Sequence, residues 1–524
     1  MGVGSGVNWR IFVSKGLAVT LQPLSSQPQR IAQHRASAMA RATEGGPSDS
    51  FQSSPAPSAE NTPPVSSNNP RELGERQFAD AHGRVKHLAL MLSSYAGGET
   101  RRQMLNAYKT LFTRMEPDTR FSIAVGSSRD RQDVEKMMAE ANIPNPERIE
   151  FVDPKAGSLT VWARDMMVPL QLTQDSQRTA LLEQTPLHDW HDDDSAVPGA
   201  ICIQNPEILL DQDKRVVTDG GDVMATTQES FVGFYSLAAT AKKLARTIDS
   251  DAELSQKVVA DFEQRTGQRV VDGGRSAVFS YQQVARETDN PEALPWTLVE
   301  NPADQPKRNL KPGEVTKDQM YEQLAEELFE QKFGKPVTVL GKDDPATAHR
   351  EEPASDHMDM GATPIDDKTF FVGDPGLAKK IIATMSDREI AEAEEILSQS
   401  AGRPVRLPRE GDRNRDNQQD FDAYEKTLKD KGYNVIRLPH AEPGLSRSYI
   451  SYNNCLMENF SKPDGTQVRR VFLPVYNIPK LDDYATRTWE SQGYEVIPMP
   501  LGALSQRWGA LRCISNWLDR SPHA

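Results

Sequence analysis

A recurring unit constrains this chain more than any other feature. Residues 424–439 run from a polar, helix-like stretch into Gly432-Tyr433-Asn434-Val435-Ile436-Arg437-Leu438-Pro439. Residues 482–500 do the same, ending in Gly493-Tyr494-Glu495-Val496-Ile497-Pro498-Met499-Pro500. A weaker copy is Tyr321 to Lys332 followed by Gly334-Lys335-Pro336-Val337-Thr338-Val339-Leu340, and a looser one ends in Ile149-Glu150-Phe151-Val152. Each Gly stands where a helix must stop, because glycine accepts the left-handed cap conformation with little strain. Each short β-branched run then suits a buried strand. Self-similarity at this scale marks an architecture assembled from like supersecondary units. Upstream the same alternation continues: His87 to Leu92 reads as a strand, Thr100 to Met115 as an amphipathic helix, Phe121 to Val125 as a strand and Asp130 to Ala141 as a helix. The class is therefore α/β.

The segments just beyond these strands carry the chemistry. After Val152 comes Val161-Trp162-Ala163-Arg164-Asp165, and after Leu340 comes Ser355-Asp356-His357-Met358-Asp359-Met360. After Pro439 comes Tyr452-Asn453-Asn454-Cys455-Leu456, and after Pro500 comes Gly509-Ala510-Leu511-Arg512-Cys513. Repeated α/β units that place polar residues at equivalent ends converge them on one pocket. Residues 238–333 interrupt the pattern with helical and irregular sequence, and read as an elaboration of the core or a lid.

Composition narrows the function. The formal net charge of -14 argues against a broad basic surface for nucleic acid. No apolar stretch approaches bilayer length, so the expectation is a soluble protein without membrane association. Cys202, Cys455 and Cys513 are the three cysteines. Their odd number and wide spacing offer neither a disulfide framework nor a zinc site. No glycine-rich phosphate loop follows a strand, so no metal or organic cofactor is expected.

Residues 1–75 differ from the remainder. Pro47 to Pro70 is mostly Ser, Pro, Asn and Ala, a composition too poor in apolar groups to offset its ordering entropy, and reads as disordered. Before it no acidic residue occurs until Glu44, while Arg10, Lys15, Arg30, Arg35 and Arg41 are basic. Organelle transit segments read this way, and so do export signals of bacterial effectors. The alternatives are a targeted or exported protein and a cytoplasmic one with an unaddressed tail. The catalytic domain is expected over residues 80–524.

Four groups of residues suit one reaction. A thiolate at Cys513 is a nucleophile when a histidine or positive charge favours it, although an isolated cysteine is more often a small buried hydrophobe. His357 and Asp359 stand two apart, which on a strand puts both on one face. Thr363 to Gly373 reads as a hairpin, which suggests strand structure for this motif too. Asp165 adjoins the apolar run Met166 to Leu170, and a carboxylate buried there needs a partner such as Arg164. Asp219-Gly220-Gly221-Asp222 reads as a tight turn with exposed carboxylates. A guanidinium can be held by two carboxylates on its N–H edges while a thiolate attacks its carbon. A histidine can protonate the departing ammonia and then deprotonate water, with a further carboxylate holding the ring in its working tautomer.

These motifs, in this order across residues 85–520, resemble the guanidine-modifying superfamily, the pentein fold of arginine, agmatine and peptidylarginine deiminases, dimethylargininases and amidinotransferases. Trp162-Ala163-Arg164-Asp165 looks like its W-x-R-D, Asp219 to Asp222 like its acidic-Gly-Gly turn, His357-Met358-Asp359 like its H-x-D, and Gly509 to Cys513 like its nucleophile loop. Tyr452 to Leu456 is similar to the strand that carries a site asparagine in the peptidylarginine branch, which makes that residue Asn454. The resemblance implies a five-fold ββαβ propeller. It implies Cys513 as nucleophile, His357 as acid/base oriented by Asp219, Asp165 and Asp359 gripping the guanidinium, and a covalent thiouronium intermediate. The substrate is then a small guanidino compound or the arginine side chain of a protein. Arg447 and Arg512 are candidates for binding a substrate carboxylate. The branches disagree over the details: Arg512 suits free-arginine deiminases, the segment from Asp219 to Gly233 looks most like dimethylargininases, and Met166-Met167 departs from both. A deiminase, an amidinotransferase sharing the intermediate, and a non-catalytic scaffold remain as alternatives, and the sequence leaves the oligomeric state open.

Overall fold

In the repeat, Gly432 and Gly493 adopt φ of 90° and 80°, and each ends a helix and starts a strand. In a computed structural model, the described residues are 69–187, 193–272, 310–341, 357–409, 418–441 and 449–521. Residue 279 and the strands Trp9–Phe12, Thr20–Pro23, Tyr281–Gln283 and Trp296–Leu298 are described besides these. The chain divides into two compact units, residues 1–66 with 248–269, and residues 67–247 with 270–524. In the first, Trp9–Phe12 pairs antiparallel with Thr20–Pro23, and helix Ala252–Thr266 is capped by the Asp251 side chain.

The second unit holds five sheets of one plan. Each contains an antiparallel pair, a helical crossover and a strand parallel to the second member of the pair. A crossover is required wherever neighbouring strands run parallel. In the first sheet Arg84–Leu92 lies antiparallel to the C-terminal strand Ser515–Ser521 and parallel to Arg120–Val125, which is parallel to Ile149–Val152. Helices Gly98–Arg114 and Ser128–Ala141 make its crossovers. The second runs Glu75–Gln77, Val168–Leu172, Thr179–Leu182 and Ile208–Asp211, with helix Ala196–Gln204 before the parallel strand. The third pairs Val223–Ala225 with Ser230–Gly233, and Ser230–Gly233 with the parallel Val337–Leu340. Helix Lys317–Phe333, inside the expected insertion, leads into that last strand. The fourth is Ala362–Pro364, Thr369–Asp374, Asn434–Ala441 and Ile450–Ser451, and the fifth Leu456–Ser461, Gln467–Val475 and Glu495–Pro500.

Consecutive sheets touch in a closed order. Asn516 Nδ2 in the first donates to the Met167 carbonyl ahead of the second at 3.0 Å. Lys332, next to the third, meets Glu75 of the second at 3.0 Å. Phe231 and Phe370 join third and fourth with centroids 4.8 Å apart, and Phe371 and Trp489 join fourth and fifth at 4.6 Å. The Glu458 side chain accepts the Val85 N–H at 2.8 Å, returning from fifth to first. Part of the expected tail of residues 1–75 is structured where it meets the catalytic region expected from the sequence. Pro70–Leu73 forms a 3-10 turn, and Arg71 reaches Asp211 and Asp213 at 3.2 and 3.1 Å. Among the described residues no helix is long and apolar enough to cross a membrane.

Candidate active site

Cys513 lies in the turn of residues 511–514 that leads into the C-terminal strand, and it is buried at 2% exposure. Asn454 fixes it from two sides. Its Oδ1 accepts the backbone N–H groups of Arg512 (2.9 Å) and Cys513 (3.3 Å), and its Nδ2 donates to the Cys513 sulfur at 3.1 Å. Gly509 lets the Cys513 turn close over Trp162: a Cβ there would stand 2.3 Å from the indole ring and 3.2 Å from Cys513 Cβ.

His357 approaches the same sulfur. The two side chains are near enough that each shifts the other's proton affinity. Its Nε2 is 3.2 Å from Asp219 Oδ2, and its Nδ1 is 3.8 Å from Asp165 Oδ1. The other oxygen of Asp219 accepts the Leu187 N–H at 2.9 Å, so this fully buried carboxylate is aimed at the imidazole. Gly221 makes room, since a Cβ would fall 2.6 Å from His357 Nδ1. The expected strand for the H-x-D motif is corrected. His357 is extended, with φ −117° and ψ 134°, but it caps the short helix Met358–Gly361, which contains Asp359. Asp222 Oδ1 captures the Met358 N–H at 3.2 Å, and the turn closes with Met360 N donating to His357 O. The two side chains therefore diverge, one toward the thiol and the other toward Arg512.

Asp359 and Arg512 form a buried pair, Oδ2 to Nη1 at 2.7 Å. Arg512 also donates to Asp80 Oδ1 from Nε (3.2 Å) and Nη2 (2.8 Å), and to the carbonyls of Gly220 (3.3 Å) and Val223 (2.9 Å). Arg512 as a ligand for a substrate carboxylate is thus corrected: the side chain points into the protein and its donors are occupied. Asp359 Oδ1 is buried and has no hydrogen-bond partner among the described residues. Arg447, the other candidate, lies outside the described residues. Asp165 is buried beside His357; the pairing with Arg164 allowed by the sequence does not appear among the ion pairs of the described residues.

Burial and charge pull the titrating groups in opposite directions. Burial lowers the proton affinity of His357, but the charge of Asp165 and the hydrogen bond to Asp219 outweigh it and raise its pKa well above the ordinary value. Burial, with Asp359 nearby, pushes the Cys513 thiol up to about 11, against the influence of nearby His357. Burial raises Asp222 to about 7, opposed by His357 and Ser236. Asp80, Trp517 and the supporting role of Asp222 were not legible beforehand. Asp80 stands in Phe78-Ala79-Asp80-Ala81, which has no motif around it. Among the described residues no cluster of three or more His, Cys, Asp or Glu side chains is placed to hold a metal.

No family model matches the chain, and no curated protein matches it in sequence. Several solved structures resemble it in three dimensions. An agmatine deiminase of Enterococcus faecalis is 11% identical, with a TM-score of 0.48 over 87% of this chain and 99% of its own. An agmatine deiminase of C. jejuni is 11% identical, with a TM-score of 0.46 over 84% and 95%. An amidinotransferase of Microseira wollei from saxitoxin biosynthesis is 8% identical, with a TM-score of 0.36 over 85% and 97%.

Proposed function

We propose that this protein is a cysteine-dependent hydrolase of guanidinium groups, an arginine deiminase in type, and that its five sheets stand as a five-fold propeller around the pocket. The observation that carries the reading is His357, held between the carboxylates of Asp165 and Asp219 and close to a thiol that Asn454 positions. The closed order of neighbouring sheets supports the propeller.

Asp165 and the open oxygen of Asp359 hold the planar cation by its N–H edges. The thiol is mostly protonated before substrate binds, because its pKa stands near 11. A bound guanidinium places a positive charge beside it and favours loss of that proton to solvent. The thiolate attacks the guanidinium carbon and a C–S bond forms. His357, charged at neutral pH, donates a proton to the departing nitrogen, the C–N bond breaks, and ammonia leaves a thiouronium cation. Neutral His357 then takes a proton from water as its oxygen attacks the same carbon. The C–S bond breaks, the sulfur recovers its electron pair, and the protonated ureido product loses a proton. Guanidinium and water become a urea and ammonium, so atoms and charge balance.

An acceptor amine in place of water makes the same site an amidinotransferase. The purified full-length protein is incubated with arginine, agmatine, methylated arginine and an arginine-containing peptide, each with and without glycine as acceptor. Mass spectrometry is expected to show oxygen replacing one imino nitrogen on one substrate, lost in Cys513→Ala. Transfer of the amidino group to glycine instead identifies the transferase. No product, with Cys513 inert to a haloacetamidine, overturns both.

A further inference from the structure

One short segment, residues 183–187, touches both of the aspartates that flank His357. It leaves the end of strand Thr179–Leu182 and is laced into the stretch that leads to Asp219. The Glu183 N–H donates to the Asp211 carbonyl at 2.8 Å, the Thr185 N–H to the Val216 carbonyl at 2.9 Å, and the Thr218 N–H to the Thr185 carbonyl at 3.0 Å. From this footing the Leu187 N–H donates to Asp219 Oδ1 at 2.9 Å. Gln184 turns the other way: its Nε2 donates to the backbone carbonyl of Asp165 at 2.7 Å. The Gly220 N–H reaches the same carbonyl at 3.2 Å.

Stability alone does not account for a glutamine at this position. Gln184 is 2% exposed. A carbonyl only accepts, so the amide nitrogen must face Asp165. The amide oxygen is then left buried, with no hydrogen-bond partner among the described residues. Leaving a buried acceptor unpaired costs at least as much as one neutral hydrogen bond returns. An apolar side chain of the same length would pack here without that cost, and the Asp165 carbonyl would keep the Gly220 N–H. The neighbouring carbonyls of this turn are held more loosely: Asn516 Nδ2 is shared among Ala163, Arg164 and Met167 at 3.3, 3.4 and 3.0 Å. The Asp165 carbonyl has a short bond from a donor of its own.

We infer that Gln184 is a positioning residue of the proposed guanidine site: it fixes the backbone of Asp165 to the segment that also holds Asp219, and so sets the spacing of the two carboxylates across His357. The inference rests on the reading of His357 as the acid and base of that site. Asp165 Oδ1 stands 3.8 Å from His357 Nδ1, beyond a hydrogen bond, so it acts on the imidazolium through charge, and that action changes with distance. The titrating groups that act on the imidazole are Asp165, Asp219 and Cys513, with Asp222 across the Met358 turn. Gln184 carries no charge. Replacing it alters none of these groups, only where Asp165 stands.

The test titrates the full-length protein, labelled with ¹³C at its histidines, by NMR. The His357 signal is identified by its loss in His357→Gln. Gln184→Met keeps the length of the side chain and removes the donor, and its His357 midpoint is expected below that of the parent, because Asp165 is no longer held in place. Gln184→Asn keeps the amide one methylene short, and its midpoint is expected between the two. It decides the matter if Gln184→Met does not fold. Where the parent turns over a guanidino substrate, kcat/KM of the folded Gln184→Met protein should fall about 10–100-fold, with the alkaline limb of its pH profile moved the same way. A His357 midpoint unchanged in the folded variants, with activity lost only in proportion to the unfolded fraction, overturns the inference. A lowered midpoint in a protein without turnover upholds Gln184 as the residue that places Asp165 and sinks the hydrolase reading instead.

Discussion

Lys332 and His357 are both basic groups enclosed by carboxylates, yet their surroundings differ. Lys332 contacts Glu75 at 3.0 Å, Asp213 at 3.5 Å and also Asp211. Arg71 and Arg215 bind the same aspartates, so three permanent cations interlock with three carboxylates. Burial would raise Asp213, but Arg215, Lys332 and Arg71 hold it well below the usual carboxylate range. Around His357 the central cation is an imidazole that can lose its proton, a thiol lies near enough to shift its proton affinity, and nearby Asp359 keeps one oxygen open. Burial alone does not distinguish the two. A group able to exchange a proton, beside a thiol and an unfilled acceptor, separates the proposed reaction site from a structural tie.

The strongest way to break this contrast is to exchange the expected phenotypes. Cys513→Ala should lower kcat by roughly 10⁴–10⁶-fold while leaving Tm nearly unchanged. Lys332→Met should do the reverse: it strands Glu75, removes one partner each from Asp211 and Asp213, and should cost about 3–5 kcal/mol of stability, with kcat of the folded fraction preserved. Steady-state kinetics and urea melts on both variants check this. Lost activity with intact folding in Lys332→Met would move that network into the reaction.

Arg512→Gln tests the boundary between the regions, because Arg512 is adjacent to Cys513 but behaves like a member of the structural class. Losing the cation leaves Asp80 and Asp359 buried and unpaired, which should cost about 3–5 kcal/mol. The ratio of kcat/KM for arginine over agmatine should stay constant, since Arg512 has no donor left for a substrate carboxylate. A selective loss on arginine would restore it as a substrate ligand.

How far the sequence reveals all this depends on the range of the interactions. Gly432 and Gly493 were legible as helix stops because capping is local. The hairpin of Ala362–Pro364 with Thr369–Asp374 was legible for the same reason, since Asp366 turns the chain by accepting the Lys368 N–H at 2.8 Å. The H-x-D motif was misread because period-two spacing assumes a continuing strand. The Asp222 carboxylate, 136 residues earlier in the chain, instead captures Met358 N and starts a helical turn. Arg512 was misread because Asp80 lies 432 residues away and has no signal of its own. Asn454 was found only through resemblance, since nothing local ties an asparagine to a cysteine 59 residues later.

A smaller effect sharpens the comparison through the thiol. With the Cys513 pKa near 11, the free protein at pH 7 carries roughly 10⁻⁴ thiolate at this position. Its alkylation by iodoacetamide, followed by peptide mass, should therefore rise about tenfold per pH unit from pH 6 to 9. A rate already level at pH 7 would mean that the thiolate forms without substrate. It would also mean that the bound guanidinium has no part in activating it.

The smallest effect concerns stability and comes from the tighter hold of the native state on the His357 proton. The native pKa of this imidazole is raised well above the unfolded value of about 6.5. The resulting stabilisation is fully present below about pH 6.5 and is lost as pH rises through the raised native value. Each tenfold gain in proton affinity on folding corresponds to about 1.4 kcal/mol. His357→Gln removes this contribution, so the gap in Tm between parent and variant should be widest at pH 5–6 and narrow toward pH 9. A gap that widens with rising pH would mean the imidazole is buried neutral. The two carboxylates beside it would then have to be neutralised by protons of their own, and His357 would begin the reaction as a base.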